Sequence, residues 1–249
     1  MFAVIIPFVS KQVASDWGNA VRALERTLKS ILSNQDSDLH VFIVCQDDPQ
    51  LKNRDHRYTY IKSNNPIPDK NDIMAKNFDR GHKVSEGFSL LSQYNPNYVM
   101  FCDADDLVSN RLVSYVKSRP SFDAFCFQSG YVWREGTQHL TKIPKFHKVC
   151  GSSFVMRYND RVFPGWLKGD WENMIGELAH NQIAETMEKA GLALNKIDIP
   201  MAVYVTGHGN HLWEGFHELP LTRRIKDLLL AALRRRHLTD ILKEEFGIQ

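Results

Sequence analysis

The 249 residues are 43% hydrophobic, 24% charged and 11% aromatic, which excludes a disordered or fibrous chain and predicts a soluble globular protein with a substantial core. Lys and Arg number 31 against 29 Asp and Glu, a formal charge of +2, so the surplus basic charge that nucleic acid demands is lacking and no such partner is expected. No apolar run reaches the length of a membrane span, and Met1-Phe2-Ala3-Val4-Ile5-Ile6-Pro7 has neither a basic leader nor a small-residue cleavage site. A cytoplasmic protein is expected.

Phe2 to Val9 is apolar and β-branched, with Pro7 near its end, and predicts a buried strand. Asp16 is placed to cap a helix that carries Val21, Leu24, Leu28, Ile31 and Leu32 at helical spacing. Val41 to Cys45 predicts a second buried strand, halted by Gln46-Asp47-Asp48-Pro49, and Tyr58 to Ile61 a short third one before the turn-rich Asn64-Asn65-Pro66-Ile67-Pro68. A long helix follows from about Asp69 to Ser92, then a strand over Tyr98 to Cys102 that runs into Asp103-Ala104-Asp105-Asp106. This alternation predicts a mainly parallel sheet with right-handed crossovers, an α/β protein.

The second half is less regular. Phe122 to Tyr131 and Val132 to Leu140 read as extended segments about a turn at Glu135-Gly136. Ser152 to Arg157 is a further strand, Trp171 to Gly191 is largely helical, and Ala202 to Thr206 is a last short strand before Gly207-His208-Gly209-Asn210-His211. From Leu221 onward the pattern is an amphipathic helix with basic residues in excess, Arg234, Arg235 and Arg236 among them. Such a helix either docks on the body of the protein or lies on an anionic membrane, and both fates are open. No repeat or linker interrupts the chain, so one domain over 1–249 is expected. Cys45, Cys102, Cys126 and Cys150 form no CxxC pair and read as buried reduced thiols.

The acidic cluster after Cys102 is the main chemical signal. In an extended segment Asp103 and Asp105 project to one face. At the carboxyl end of a buried parallel strand they stand where open α/β sheets bind ligands. Hard carboxylate oxygens suit Mg²⁺ or Mn²⁺, and such a cation suits a diphosphate. The other reading is a solvated turn in which Asp106 or Ser109 caps the next helix. The first strand ends in Pro7-Phe8-Val9-Ser10 and the second in Gln46-Asp47-Asp48, so three strand ends share one polar rim.

VIIPFVS, the helix with RTLKSIL followed by Asn34-Gln35, VFIVCQDD and YVMFCDADD together resemble the nucleotide-sugar-binding half of a GT-A glycosyltransferase, closest to family 2. The resemblance implies a GT-A fold with a donor half over 1–115 and a smaller antiparallel acceptor half over 116–220, which KVCGSSFVMRY and PMAVYVTGHGNH resemble more loosely. A C-terminal helix over 221–249 completes that layout. It implies metal-dependent, inverting transfer of a sugar from a UDP- or GDP-sugar to a glycan or lipid-linked acceptor. Pro7 and Val9 would border the base, Asp47 would accept from base or ribose, and Asp103, beside Ala104, would face the ribose. Asp105 would hold the cation. Asp79-Arg80-Gly81-His82-Lys83 is similar to a basic pattern in such enzymes, with Lys83 reaching the donor phosphates; a solvated helix face is its bland alternative. Gln46 departs from the family pattern of two acids directly after the second strand, which leaves the register of Asp47 open by one residue.

His208 and His211 in the Gly-rich loop are candidate metal ligands by the same resemblance. Asp170 and Glu172 lie where the family carries its general base, although acids in a first helical turn also simply complement the helix dipole. Tyr131 and Trp133 share a strand face and suit either acceptor stacking or core packing. Two rival readings stand beside the transferase: a sugar-phosphate nucleotidyltransferase, against which no Gly-rich basic loop follows the first strand, and a non-catalytic nucleotide- or carbohydrate-binding module.

Overall fold

The computed structural model describes residues 1–36, 38–168, 180–207 and 234–248. In chain order they form β1 (Phe2–Pro7), α1 (Trp17–Leu32), β2 (Leu39–Cys45), β3 (Tyr58–Lys62), α2 (Ile73–Leu90), β4 (Tyr98–Phe101), β5 (Leu107–Val108), α3 (Leu112–Lys117), β6 (Ala124–Phe127), β7 (Ser129–Arg134), β8 (His139–Pro144), β9 (Phe154–Arg157), α4 (His180–Lys189), β10 (Leu194–Ile197), β11 (Ala202–Thr206), β12 (Arg235–His237) and α5 (Asp240–Phe246).

The larger sheet has the order β10-β6-β9-β4-β1-β2-β3. Its pairings are parallel except at β9, which runs antiparallel to both β4 and β6. β1 lies between β4 and β2, and all six of its residues are buried, as expected of a strand covered on both faces. Its side chains alternate between two cores. Phe2, Val4 and Ile6 join the cluster that contains Leu24, Leu28 and Ile31 of α1. Ala3 and Ile5 join the cluster that contains Val84 and Phe88 of α2. Each helix is started by a carboxylate: Asp16 accepts from the Asn19 amide at 2.9 Å and Asp72 from the Ala75 amide at 3.0 Å. The expected mainly parallel α/β sheet is therefore present.

A second sheet, β12-β8-β7-β11-β5, is antiparallel apart from the parallel β7–β11 pair. Trp133, Leu140, Val203, Val205 and Phe246 close a third core behind it. The β7–β8 connection turns at Gly136 with φ +80°, a left-handed position that glycine takes without strain.

Three expectations need correction. The helix expected to run unbroken from Leu221 does not: Arg235–His237 is an edge strand paired with β8, and α5 is a separate helix with Thr239 as its cap. Arg235 and Arg236 therefore belong to a charged sheet edge, which discourages further strand pairing. Residues 221–233 lie outside the described residues. Asp103 to Asp106 is not extended; the Asp106 amide donates to the Asp103 carbonyl at 3.3 Å and makes a turn. Asp106 does not cap α3; the Ser109 hydroxyl accepts from the Arg111 amide at 3.2 Å just before that helix, and Asn34 Oδ1 accepts from the Val113 amide at 3.3 Å in its first turn. Among the described residues no helix is long and apolar enough to cross a membrane.

Candidate functional site

The parallel strands β1, β2 and β4 deliver their carboxyl ends to one rim, and the loops there are tied to each other by side chains. After β2, Asp47 accepts the Lys11 backbone N–H on Oδ2 at 2.7 Å, which holds the loop that follows β1. The Cys45 thiol donates to the Val9 carbonyl at 3.3 Å from the same side. Asp47 and Val9 are thus brought together, just beyond Pro7.

Gln46 points the other way. Its Nε2 donates to Asp79 Oδ1 at 2.8 Å, while Lys83 Nζ lies 2.6 Å from Asp79 Oδ2 and 2.7 Å from the Phe8 carbonyl oxygen. Lys83 is only 1% exposed. A buried ammonium must be paired and hydrogen-bonded to be tolerated, and here the i, i+4 spacing on α2 supplies the carboxylate. Asp79 and Lys83, expected at the donor phosphates, form in this geometry an internal clamp across β1, β2 and α2.

The cation that stands at the rim is Arg80. Its Nε and Nη2 donate to Asp103 Oδ1 at 2.9 and 2.7 Å, and its side chain is 30% exposed. The Asp103 charge holds the guanidinium even higher than its usual range. Ala104 is fixed through its carbonyl, which accepts from Thr27 Oγ1 of α1 at 2.9 Å. Asp105 is half-buried in the same turn. Asp106 is fully buried; its Oδ2 accepts from Ser152 Oγ at 2.6 Å and from the Cys150 thiol at 3.1 Å. Burial, reinforced by the charges of Asp105 and Asp103, drives its carboxyl well above the ordinary range.

Sequence reasoning named Arg80 only as part of the Asp79-to-Lys83 pattern, without a role of its own, and gave none to Gly151, Ser152 or His180. His180 opens α4 close enough to feel both Asp103 and Arg80, and burial draws its ring below the usual histidine range. The signal for Arg80 was present: Asp79 and Lys83 satisfy each other at i, i+4, which leaves Arg80 as the cation free to serve the rim. Tyr131 and Trp133 both make packing contacts. Tyr131 meets Phe246 edge-on at 5.9 Å, and Trp133, 4% exposed, donates to the Thr137 carbonyl at 2.9 Å. A cleft of about 750 Å³ lies elsewhere, along α1 beside Arg26 and Trp133.

Asp170, Glu172, His208 and His211 lie outside the described residues. Among the described residues no group of three or more His, Cys, Asp and Glu side chains is gathered to hold a metal ion. The donor set nonetheless suits Mg²⁺ or Mn²⁺, which bind through one or two carboxylates completed by water and substrate phosphates.

No family model matches the chain, and no curated protein matches it in sequence. Solved structures do match in shape. S. aureus TarS is 11% identical with a TM-score of 0.50 over 82% of this chain, which spans 60% of the TarS chain. The 2-C-methyl-D-erythritol 4-phosphate cytidylyltransferase of Francisella tularensis is 11% identical with a TM-score of 0.49, over 92% of this chain and 98% of that one. Rv0371c of Mycobacterium tuberculosis H37Rv, in complex with manganese, is 8% identical with a TM-score of 0.38, over 82% of this chain and 90% of that one. The likeness to TarS shows the fold alone, a mainly parallel α/β sheet flanked by helices.

Proposed function

We propose that this chain is a transferase acting on a nucleotide-activated sugar, and specifically a metal-dependent glycosyltransferase that moves the sugar from a nucleoside diphosphate to an acceptor hydroxyl. One observation carries the reading: Arg80, Asp103 and Asp105 meet at the carboxyl ends of the central parallel strands, where an α/β sheet of this fold receives its ligand. Pro7, Val9 and Asp47 then border the base, Asp103 faces the ribose, and Asp105 holds Mg²⁺ or Mn²⁺, with His208 or His211 as a further ligand. The bound cation supplies charge neutralisation on the diphosphate leaving group. Arg80 adds a fixed positive charge beside it. Asp170, or else Glu172, takes the proton from the acceptor hydroxyl, and inversion follows from the family 2 resemblance.

The chain works as one domain, donor half 1–115 and acceptor half 116–220. It acts in the cytoplasm on a glycan or lipid-linked acceptor.

A nucleotidyltransferase is the second reading, favoured by the fold itself. Against it, Phe8-Val9-Ser10-Lys11-Gln12-Val13-Ala14-Ser15-Asp16 after β1 has no glycine, and so no backbone cradle of the Gly-rich kind for a triphosphate. One experiment divides the two. Nucleotide sugars are offered with Mn²⁺ in one arm, and nucleoside triphosphates with sugar phosphates in the other. Release of nucleoside diphosphate in the first arm supports the glycosyltransferase; release of pyrophosphate in the second replaces it. In the first arm Asp170→Asn should lower transfer by about 10²–10⁴-fold with donor binding kept. Full activity of both Asp170→Asn and Glu172→Gln removes this pair from the base role.

A further inference from the structure

We propose that Cys150-Gly151-Ser152, on the approach to β9, is a positioning element that sets where Arg80 and Asp103 present their charges. The reading above supplies only the identity of the ligand; the geometry stands apart from it.

Ser152 is fully buried, and its hydroxyl works in both directions: it accepts the Asp103 backbone N–H at 2.8 Å and donates to Asp106 Oδ2 at 2.6 Å. One oxygen therefore bridges the first and fourth residues of the acidic turn. Nothing else in the segment could replace it, because the Cys150 thiol is already spent on Asp106.

Gly151 acts through the space it leaves. A Cβ there would lie 2.6 Å from Asp103 Oδ2 and 3.0 Å from Arg80 Nη2. Its backbone is not among the positive-φ glycines, so conformational freedom is not the reason for glycine at this place. Both atoms that a methyl would strike are the ends of side chains. The fold can absorb the methyl by displacing the ion pair, which makes Gly151→Ala a change aimed at the pair itself. That pair fixes the plane of the guanidinium, since Nε and Nη2 share one carboxylate oxygen. Among the described residues Nη1 has no hydrogen-bond partner, and this end of the fork is left for an oxyanion.

The test compares the full chain with Gly151→Ala and Ser152→Ala by three readouts: thermal midpoint, the Arg80 Nε–H resonance, and titration with inorganic pyrophosphate in Mg²⁺. Pyrophosphate is used because it probes a diphosphate subsite whatever the base. Gly151→Ala should keep its midpoint, shift the Arg80 resonance and weaken pyrophosphate by roughly tenfold or more, the loss of a charge-assisted hydrogen bond. Ser152→Ala should shift the same resonance, with some loss of midpoint from the orphaned Asp106 oxygen. An Arg80 resonance unmoved in both variants overturns the proposal, even where stability falls, because the segment is then only structural. A resonance that moves while the parent binds no pyrophosphate supports the positioning role and counts against the nucleotide-sugar reading instead.

Discussion

Lys83 and Phe8 are joined by a buried hydrogen bond, 2.7 Å from the ammonium to the carbonyl oxygen just past the end of β1. The Phe8 amide still donates to the Val44 carbonyl of β2 at 2.8 Å, while for its own carbonyl a side chain from α2 supplies the donor. Lys83→Met should therefore cost about 3–5 kcal/mol at pH 7, because Asp79 is left as a buried charge without its cation. Adding Asp79→Leu should recover part of that loss, a coupling that urea melts of the single and double variants would resolve. A Lys83→Met protein as stable as the parent, but unable to bind a diphosphate, would return Lys83 to the donor phosphates.

The proposed cation site has its own signature. Asp105→Ala should abolish the Mn²⁺-dependent part of nucleoside diphosphate binding and leave the fold intact, as followed by calorimetry with and without chelator. Of His208→Ala and His211→Ala, one should weaken metal binding clearly and the other little. Equal affinity in Asp105→Ala and parent would remove the carboxylate from the ligand set.

A pH dependence follows from Asp55. Hydrogen bonds from Arg57 hold its carboxyl at about 2, down from an ordinary 3.8. Its stabilisation is therefore fully present above pH 4 and is lost as pH falls toward 2. The side chain is 27% exposed, so Asp55→Asn should cost about 1 kcal/mol or less at pH 7. The melting curves of variant and parent should converge near pH 2. A gap that stays constant with pH would mean that the carboxylate charge contributes nothing.

The thiols should be silent. Burial pushes Cys45 up to about 11 and Cys126 up to about 12, and lifts Cys102 and Cys150 well above the usual range. At pH 8 the folded protein should react negligibly with a disulfide reagent, and all four cysteines should react in denaturant. Fast labelling of the native chain would show that one of them is open to solvent.

What the sequence made legible was decided by local signals. β1, β2 and β4 announce themselves as apolar runs, and Asp16 as a cap, because strand burial and capping are written within a few consecutive residues. β5, two residues long, and β12, a run of Arg235, Arg236 and His237, carry no such pattern; they are strands only because β11 and β8 lie beside them. The site divides in the same way. Asp103 and Asp105 were visible as a motif at a strand end. The partners that shape them were not, since Arg80 and Ser152 reach Asp103 from 23 and 49 positions away. The extended-strand argument for Asp103 and Asp105 failed where the chain turned, and their shared location survived because a turn also holds them together.

Glu245, on α5, accepts from the Ser109 hydroxyl at 2.7 Å across 136 positions, and its carbonyl accepts from the Asn110 amide at 3.0 Å. This joint closes a very long loop around everything between β5 and α5, including β7, β8 and β11 of the second sheet. The second sheet accordingly depends on contacts that are about as non-local as the chain allows, and assembly of such sheets is slow. As the chain is made, the larger sheet can gather its first four strands early. The smaller one must wait, its edges unpaired, until α5 arrives to latch them, which is the interval in which a folding helper would matter most.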